Sequence, residues 1–198
     1  MMLVLGTRNR KKRGEIVEIL GDLAIELEDL SAWPGFPEID ETGDTFEANA
    51  RLKAVAVAKG TENWALGEDS GLVVPALGGA PGVFSARYAG KQGDDVANNA
   101  KLLAAMDGLE GHQRAAYYVC TAAFADPVGD VKAVVEGRCH GIIIREARGV
   151  GGFGYDPLFL IPEYHRTFGE LSATVKHALS HRGRALAKLR PVLRNLLL

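Results

Sequence analysis

Segments with the pattern of strands and segments with the pattern of helices alternate along the whole chain. The stretch "MLVLG" predicts a short buried strand, "TRNR" a polar turn, and Lys11–Leu20 a helix whose apolar residues can face a sheet. No Ser- or Pro-rich linker and no run of like charge interrupts this alternation. The pattern therefore predicts one α/β domain over residues 1–198, with room for two lobes.

The remaining elements continue the same order. Asp44 is expected to cap a helix over Thr45–Lys59, with Glu47 reaching back as in a capping box. "ALGEDSGLVV" predicts a strand, and "PALGGAPGVFSARYAGKQG" predicts a long shaped loop. The later elements are predicted to be a helix near Asp94–Met106, a hairpin-like pair "AAYYVCTAAFA" and "VKAVVEGRCHGIII", a strand "LFLI", and a C-terminal helix with Ser180 as its N-cap and Pro191 as a kink or stop.

Composition argues against several classes of protein. The net charge of -2 gives no general reason to bind a nucleic-acid polymer or an anionic membrane. Cys120 and Cys139 lack metal-ligand spacing and are expected to be buried, reduced thiols of a cytoplasmic protein. The N-terminal apolar stretch is too short for a signal sequence, and no later segment approaches the length of a membrane span. We therefore expect a cytoplasmic protein with no membrane and no nucleic-acid polymer as partner.

Two acids interrupt an apolar run in "LGEDSGL". Successive strand residues point to opposite faces, so Glu68 and Asp69 cannot both be solvent-facing unless the strand has already ended. A buried carboxylate needs a cation or a network of donors. Asp69 is therefore interpreted either as a structural turn acid or as a hard-cation ligand or general base, because Mg²⁺ prefers one or two carboxylates together with substrate phosphates.

Two further segments can bind the phosphate end of a nucleotide or can be purely structural. "TRNRKK" lies between a strand and a helix start, where backbone N–H groups favour an anion, and a solvated capping turn is the alternative. Glu47 stands four residues before Arg51, so the alternative there is a cap with an i,i+4 ion pair. Asn49 and Lys53 share a neighbouring face of the same helix at that spacing.

"GGFGYDP" and "SHRG" have the composition expected around a planar base. In the first, Phe153 and Tyr155 stand among glycines, and a glycine-rich turn with core aromatics is the alternative. In the second, His181 and Arg182 stand at a helix start, where the helix dipole disfavours them without an acceptor-rich partner. Together with the carboxylates and the basic turn, these segments indicate a nucleoside triphosphate site.

The order and content of these motifs resemble the noncanonical purine nucleoside triphosphate pyrophosphatases (inosine/xanthosine triphosphate pyrophosphatases). The matching segments are "TRNRKK", "TFEANARLKA", "GEDSGLVVPALGGAPGVFSARYAG", "GGFGYDPLF" and "KHALSHRG", which together span nearly the whole chain. The resemblance implies an α/β fold with an elongated central mixed sheet, flanking helices and two lobes around a deep nucleotide-binding cleft. It also implies a homodimer and Mg²⁺-dependent hydrolysis of ITP, dITP and XTP to the monophosphate and pyrophosphate, which cleanses the nucleotide pool and prevents incorporation into DNA and RNA.

The resemblance also assigns roles to individual residues. It implies that Glu47 and Asp69 hold the metal and that Asp69 is the general base. It places Thr7, Asn9, Lys12 and Lys53 near the phosphates and Ser70 beside the nucleotide. For base and sugar recognition it implies Phe153, Gly154, Tyr155, Asp156, Lys176, His181 and Arg182.

The chain departs from the family's pattern at two positions. Many bacterial members have Asp-Asp-Ser-Gly where this chain has Glu68-Asp69-Ser70-Gly71, so Glu68 is either a second metal ligand or a turn-stabilising acid. The family usually has acids just before the lysine equivalent to Lys176, and "ATVKH" lacks them. Two other functions are retained as alternatives: a related pyrophosphatase for modified pyrimidine or methylated nucleotides, and a nucleotide-binding regulatory module without turnover.

Overall fold

The computed structural model describes all residues from 1 to 198. The strands are β1 (Met2–Leu5), β2 (Glu26–Asp29), β3 (Trp64–Val73), β4 (Ala115–Ala125), β5 (Val131–Ile143), β6 (Phe159–Ile161) and β7 (Arg166–Thr167). The α-helices are α1 (Arg10–Leu20), α2 (Phe46–Thr61), α3 (Asp95–Ala105), α4 (Ala173–Leu179) and α5 (His181–Leu197). No helix is both long enough and apolar enough to cross a membrane.

The seven strands form one mixed sheet in the order β2-β1-β3-β4-β5-β6-β7. Strand β1 pairs in parallel with both β2 and β3, as expected for strands joined by helical crossovers. Strand β6 pairs antiparallel with β5 and β7. The predicted α/β fold with a mixed sheet and flanking helices is thereby confirmed, while the single domain over residues 1–198 stays a prediction.

The chain divides into two compact units, and the first consists of residues 1–69, 120–137 and 181–198. Strand β1 and the start of β3 are apolar on both faces. On one face Leu3, Leu5 and Leu66 pack with apolar residues of α1 and α5. On the other face Val4 and Ala65 pack with Ala50, Ala54 and Val57 of α2. Helices therefore cover both faces of this part of the sheet, and the alternation of each strand decides which helix a side chain meets.

The second unit consists of residues 70–119 and 138–180 and has an aromatic core. The rings of Tyr118, Phe159 and Phe168 pack against one another, with tilted contacts whose centroids are 4.7 Å apart for Tyr118–Phe159 and 5.2 Å for Phe159–Phe168. Leu102 and Met106 from the α3 segment are fully buried in the same cluster. Cys139 of this unit and Cys120 of the first unit are buried free thiols, as predicted.

The start of α2 differs from the prediction by one residue. The N-cap is Thr45, whose hydroxyl accepts a hydrogen bond from the Ala48 N–H over 3.1 Å, rather than Asp44. Glu47 therefore occupies the second helical position and not the third, from which a capping box is closed. Asp44 and Thr45 are adjacent and both can cap a helix, and the prediction of Asp44 was wrong.

The C-terminal region contains two helices where one was predicted. Ser180 is the C-cap of α4, and because α5 begins at the next residue, Ser180 also stands at the position predicted for the N-cap of that helix. Pro191 lies inside α5 and does not end it. This residue is exposed, so the carbonyl group left without a partner by the missing N–H can be solvated.

Candidate functional site

Glu68 and Asp69 lie in the middle of β3 and not at its end. The strand continues to Val73, and the two acids are 6% and 4% exposed. The strand alternation that was predicted from the sequence therefore applies to both, and each carboxylate enters the interior of the first unit on a different face. Asp69 meets residues of α2, while Glu68 meets residues of α1 and α5.

The Asp69 carboxylate is held by two side chains of α2. Asn49 Nδ2 donates to Oδ2 over 3.1 Å, and Lys53 Nζ donates to Oδ1 over 3.2 Å. Burial raises the pKa of Asp69, while the charges of Lys53 and Lys12 oppose that effect. For Lys53, burial alone lowers the pKa, but Asp69 and Glu41 more than offset it and the pKa is raised. Lys53 is therefore a buried cation shared by carboxylates.

Glu41 is the second carboxylate on this cation, at 2.7 Å from Lys53 Nζ. The segment that carries it is fixed to the start of α2, because the Gly43 N–H donates to Asn49 Oδ1 over 2.8 Å. Glu41 was not predicted from the sequence as a site residue. It stands in a turn-rich segment without periodicity, and the only signal was its position in "DETGD" shortly before the helix that carries Lys53.

Gly67 explains how α2 comes so close to β3. A Cβ atom at this position would lie 2.2 Å from the Ala50 carbonyl oxygen and 2.3 Å from the Ala54 nitrogen. Only a glycine leaves room for the helix backbone at that distance. The close approach brings Asn49 and Lys53 within hydrogen-bonding distance of Asp69, two residues further along the strand.

Glu68 forms the centre of a second network on the opposite face. Its Oε1 accepts from Arg182 Nη2 over 2.9 Å and from the Cys120 thiol over 3.3 Å, and its Oε2 lies 3.4 Å from Lys12 Nζ. Arg182 also pairs with Glu15 of α1. Burial works against the charge of Arg182, but Glu68 and Glu15 more than offset it and its pKa is raised. Burial and the Glu68 charge raise the pKa of the Cys120 thiol, which keeps it protonated.

The "TRNRKK" turn is a helix cap in this structure. The Asn9 side chain is the N-cap of α1 and accepts from the Lys11 and Lys12 N–H groups. Thr7 Oγ1 accepts from the Asn9 N–H over 3.0 Å. Both side chains thus act as acceptors that shape the turn, and their predicted contact with phosphates stays a prediction.

Glu47 is exposed and forms the i,i+4 ion pair that was one of its two interpretations. Its Oε1 accepts from Arg51 Nε over 2.8 Å, and its side chain is 56% exposed. In residues 1–198 no group of three or more His, Cys, Asp or Glu side chains is arranged to hold a metal ion. The ligand role that the resemblance implies for Glu47 stays a prediction.

In the second unit, a buried ion pair holds the glycine-rich loop. Lys176 Nζ lies 2.7 Å from Asp156 Oδ2, the same oxygen accepts from the Phe153 N–H over 2.8 Å, and the ammonium group is 4.9 Å from the centre of the Phe153 ring. Gly152 has a φ of 71°, and a Cβ there would lie 2.0 Å from Asp156 Oδ2. Lys176 thus binds the loop itself, without the acids that precede the equivalent lysine in the family.

The N-terminal half of α3 holds Gly154 of the same loop. Asp95 Oδ2 accepts from the Gly154 N–H over 3.0 Å, and Asn99 Nδ2 donates to the Gly154 carbonyl over 2.8 Å. Tyr155 is 3% exposed and donates its hydroxyl hydrogen to the Ser85 carbonyl. Its ring belongs to the aromatic core, which favours the structural interpretation for this one residue.

Ser70 follows Asp69 in β3 and is partly buried, and His181 is buried at the first position of α5. A cavity of about 680 Å³ in the first unit is lined by residues 32–39 with Ala56 and Gly60. None of the predicted site residues lines this cavity.

Comparisons of the sequence and of the structure with known proteins both find relatives from one family. The model of the Ham1 family matches residues 3–192. A dITP/XTP pyrophosphatase of Desulforamulus reducens is 48% identical over 99% of this chain and 97% of its own length, and one of Rhodopirellula baltica is 52% identical over 96% and 92%. A HAM1 protein structure from Coxiella burnetii superposes with a TM-score of 0.89 at 41% identity, covering 98% of this chain and 99% of that chain.

Proposed function

Because this chain belongs to the Ham1 family, we propose that it hydrolyses the noncanonical purine nucleotides dITP, XTP and ITP to the monophosphate and pyrophosphate. It is a hydrolase that acts on phosphoric anhydrides. The observation that carries the proposal is Asp69, a buried carboxylate with a raised pKa, held by an amide and by an ammonium group in the middle of a strand. A general base needs this combination of geometry and basicity.

Asp69 would act as the base toward a water molecule. The water oxygen bonds to the α-phosphorus, its proton passes to the Asp69 carboxylate, and the bond from the α-phosphorus to the bridging oxygen breaks, so that pyrophosphate leaves. Lys12 and Lys53 supply positive charge for the phosphate oxygens, and Thr7 and Asn9 would lie beside the phosphates at the start of α1, where the helix dipole favours an anion. Ser70 would contact the nucleotide.

Carboxylate oxygens of the first unit fit the divalent cation that this chemistry requires. Asp69 and Glu41 are two carboxylates that share the single ammonium group of Lys53, an arrangement with an excess of negative charge. Mg²⁺ commonly takes one or two carboxylates and completes its shell with water and substrate phosphates, so a small donor set is sufficient. We propose Asp69 as a ligand, with Glu47 and Glu41 as candidates for the second. Bound Mg²⁺ would offset the charge of the triphosphate.

Two variants distinguish the candidates for the second ligand. Glu41→Gln and Glu47→Gln each remove one charge at nearly constant shape. The variant that removes a ligand should require about tenfold or more Mg²⁺ for half-maximal rate, the scale of one lost charged contact. The other variant serves as its matched control.

Base recognition is proposed for the residues that the family resemblance assigns to it. They are Phe153, Gly154, Tyr155, Asp156, Lys176, His181 and Arg182. Hypoxanthine and xanthine present an acceptor at position 6, whereas adenine presents a donor there, and a guanidinium group can only donate. This chemistry favours ITP and XTP over ATP.

Product analysis in isotopically labelled water tests the reaction. The protein is incubated with Mg²⁺ and ITP in H₂¹⁸O, with chelated metal and Asp69→Asn as controls. We expect IMP and pyrophosphate, with the label in IMP, because the attack is on the α-phosphorus. A diphosphate with orthophosphate as first products contradicts the proposal, and binding without any turnover supports the regulatory alternative. A panel that includes modified pyrimidine and methylated nucleotides tests the remaining alternative.

We also propose that residues 1–198 work as one catalytic domain, in a homodimer, in the cytoplasm. The proposed partners are the nucleotide substrate and a second copy of the chain. These statements rest on the resemblance to the family and on the near-complete coverage of the relatives.

A further inference from the structure

The carboxylate of Glu68 is buried and surrounded by donors. Its side chain is 4% exposed, and three donors from three different elements surround it: Arg182 of α5 at 2.9 Å, Cys120 of β4 at 3.3 Å and Lys12 of α1 at 3.4 Å. The backbone carbonyl of the same residue accepts from Lys53 over 3.1 Å. Glu68 is therefore connected to both lysines proposed for phosphate binding and to the arginine proposed for base recognition.

The charges on the two faces of β3 differ. On the face of Asp69, two carboxylates share Lys53 as their cation. On the face of Glu68, the carboxylates of Glu68 and Glu15 are matched by Lys12 and Arg182. A divalent cation beside Glu68 would stand next to two fixed positive charges and would be repelled by both. The face of Glu68 is therefore suited to holding cationic side chains and not to binding a metal.

We propose that Glu68 is a positioning residue that holds Lys12 and Arg182 in fixed positions relative to each other, and that it is not a metal ligand. The proposal rests on the proposed function for the roles of these two cations. One carboxylate then fixes both the charge that meets the phosphate and the guanidinium group that reads the base. In Glu68→Asp the side chain is one methylene shorter, so the carboxylate is retracted by about 1.5 Å. The contacts with Lys12 and Arg182 are then looser while the negative charge is kept.

Nucleotide binding without metal separates positioning from metal ligation. The variants are Glu68→Gln and Glu68→Asp, and Glu18→Gln is the control because it removes an exposed charge from the same helix α1. Calorimetry with IMP in EDTA should show about tenfold or weaker binding for Glu68→Gln and an intermediate loss for Glu68→Asp, since charge-assisted contacts are lost or stretched. The affinity for Mn²⁺ alone, measured by electron paramagnetic resonance, should stay within about twofold of the unsubstituted protein.

Turnover gives a second measurement of the same effect. The ratio of kcat/KM for ITP to that for ATP should fall about tenfold in Glu68→Gln, because the Arg182 guanidinium group proposed to recognise the base is no longer held in place. Glu68→Asp should restore part of this ratio. Unchanged IMP binding together with a lost affinity for Mn²⁺ would overturn the proposal and make Glu68 a metal ligand.

The Arg182 guanidinium group gives a readout that is independent of function. Its N–H protons should exchange slowly with water in the native protein and rapidly in Glu68→Gln, as followed by nitrogen-resolved NMR. Slow exchange that persists in the variant contradicts the positioning role. If the unsubstituted protein turns over no purine nucleotide while this change in exchange is seen, the proposed function fails and the positioning of Arg182 stands. If Glu68→Gln does not fold, Glu68→Asp supplies the same comparison.

Discussion

Arg182 carries its positive charge where water is almost excluded, at 1% exposure between Glu68 and Glu15. Replacing it with methionine would leave two buried carboxylates without their common cation. We therefore expect Arg182→Met to lower the free energy of unfolding by about 3–5 kcal/mol, as for other broken buried pairs. Urea denaturation followed by circular dichroism measures this. A change below about 1 kcal/mol, typical of a surface pair, would show that water reaches the site.

Base selectivity is better tested with lysine than with methionine at this position. Arg182→Lys keeps the charge but loses the planar fork, so it should fold while compressing the ratio of ITP to ATP turnover. In the unsubstituted protein we expect kcat/KM for ITP and XTP well above that for GTP, and GTP at or above ATP. Guanine keeps the position-6 carbonyl, so its rejection must rest on the 2-amino group. Equal rates with ATP and ITP would show that Arg182 is not the base reader.

Asp69→Asn keeps the shape of the side chain and removes both its charge and its proton acceptor. Loss of the general base should lower kcat by about 10²–10⁴-fold, while nucleotide binding is affected less. Rapid-quench kinetics and equilibrium binding separate the two effects. A variant within a few-fold of the unsubstituted enzyme would make Asp69 a structural acid.

The raised pKa of Asp69 also predicts a link between pH and metal. Burial favours the protonated carboxyl, so activity should rise with pH as this group ionises above the usual range for aspartate. A cation binds only the ionised form, so more Mg²⁺ should move the acidic limb of the kcat/KM profile to lower pH. If the acidic limb of the kcat/KM profile did not move with Mg²⁺ concentration, Asp69 would not be a metal ligand.

At the scale of elements, the packing of α2 on β3 depends on the missing side chain of Gly67. Gly67→Ala would place a methyl group against the backbone of Ala50 and Ala54, so the helix must move outward. We expect a loss of about 1–3 kcal/mol in the free energy of unfolding from overpacking, together with weaker nucleotide binding because Asn49 and Lys53 move with the helix. Denaturation and calorimetry measure the two effects. Gly14→Ala on α1, where a Cβ meets nothing within 4 Å, is the matched control.

The elements show how far local patterns determine the fold. The strand "MLVLG" and the helix before Leu20 follow from hydrophobic periodicity, and the structure confirms both. The strand over "ALGEDSGLVV" is confirmed as well. The pattern did not determine which groups hold Glu68 and Asp69, because the partners of these acids come from distant segments. Glu41 and Glu15 were missed for the same reason: their partners Lys53 and Arg182 are identified by tertiary contacts, which one sequence does not contain.

At the scale of the whole molecule, the mixture of parallel and antiparallel pairs was predicted only through the family resemblance, and the strand order was not predicted. The same resemblance predicts a homodimer. Sedimentation at micromolar concentration should show a species of twice 21.2 kDa. A single species of 21.2 kDa across a dilution series would contradict that expectation.

The two adjacent acids of β3 also determine which genetic changes this strand can accept. Odd and even positions along it serve different networks, so a substitution alters one network, but a one-residue insertion or deletion before Glu68 would exchange them. A deletion would place Asp69 among Arg182 and Lys12, and an insertion would place Glu68 beside Asn49. We expect libraries that carry such length changes between Trp64 and Glu68 to yield no active clones, while point substitutions at the same positions yield a graded series. In evolutionary terms, this strand tolerates a change of residue type better than a change of length.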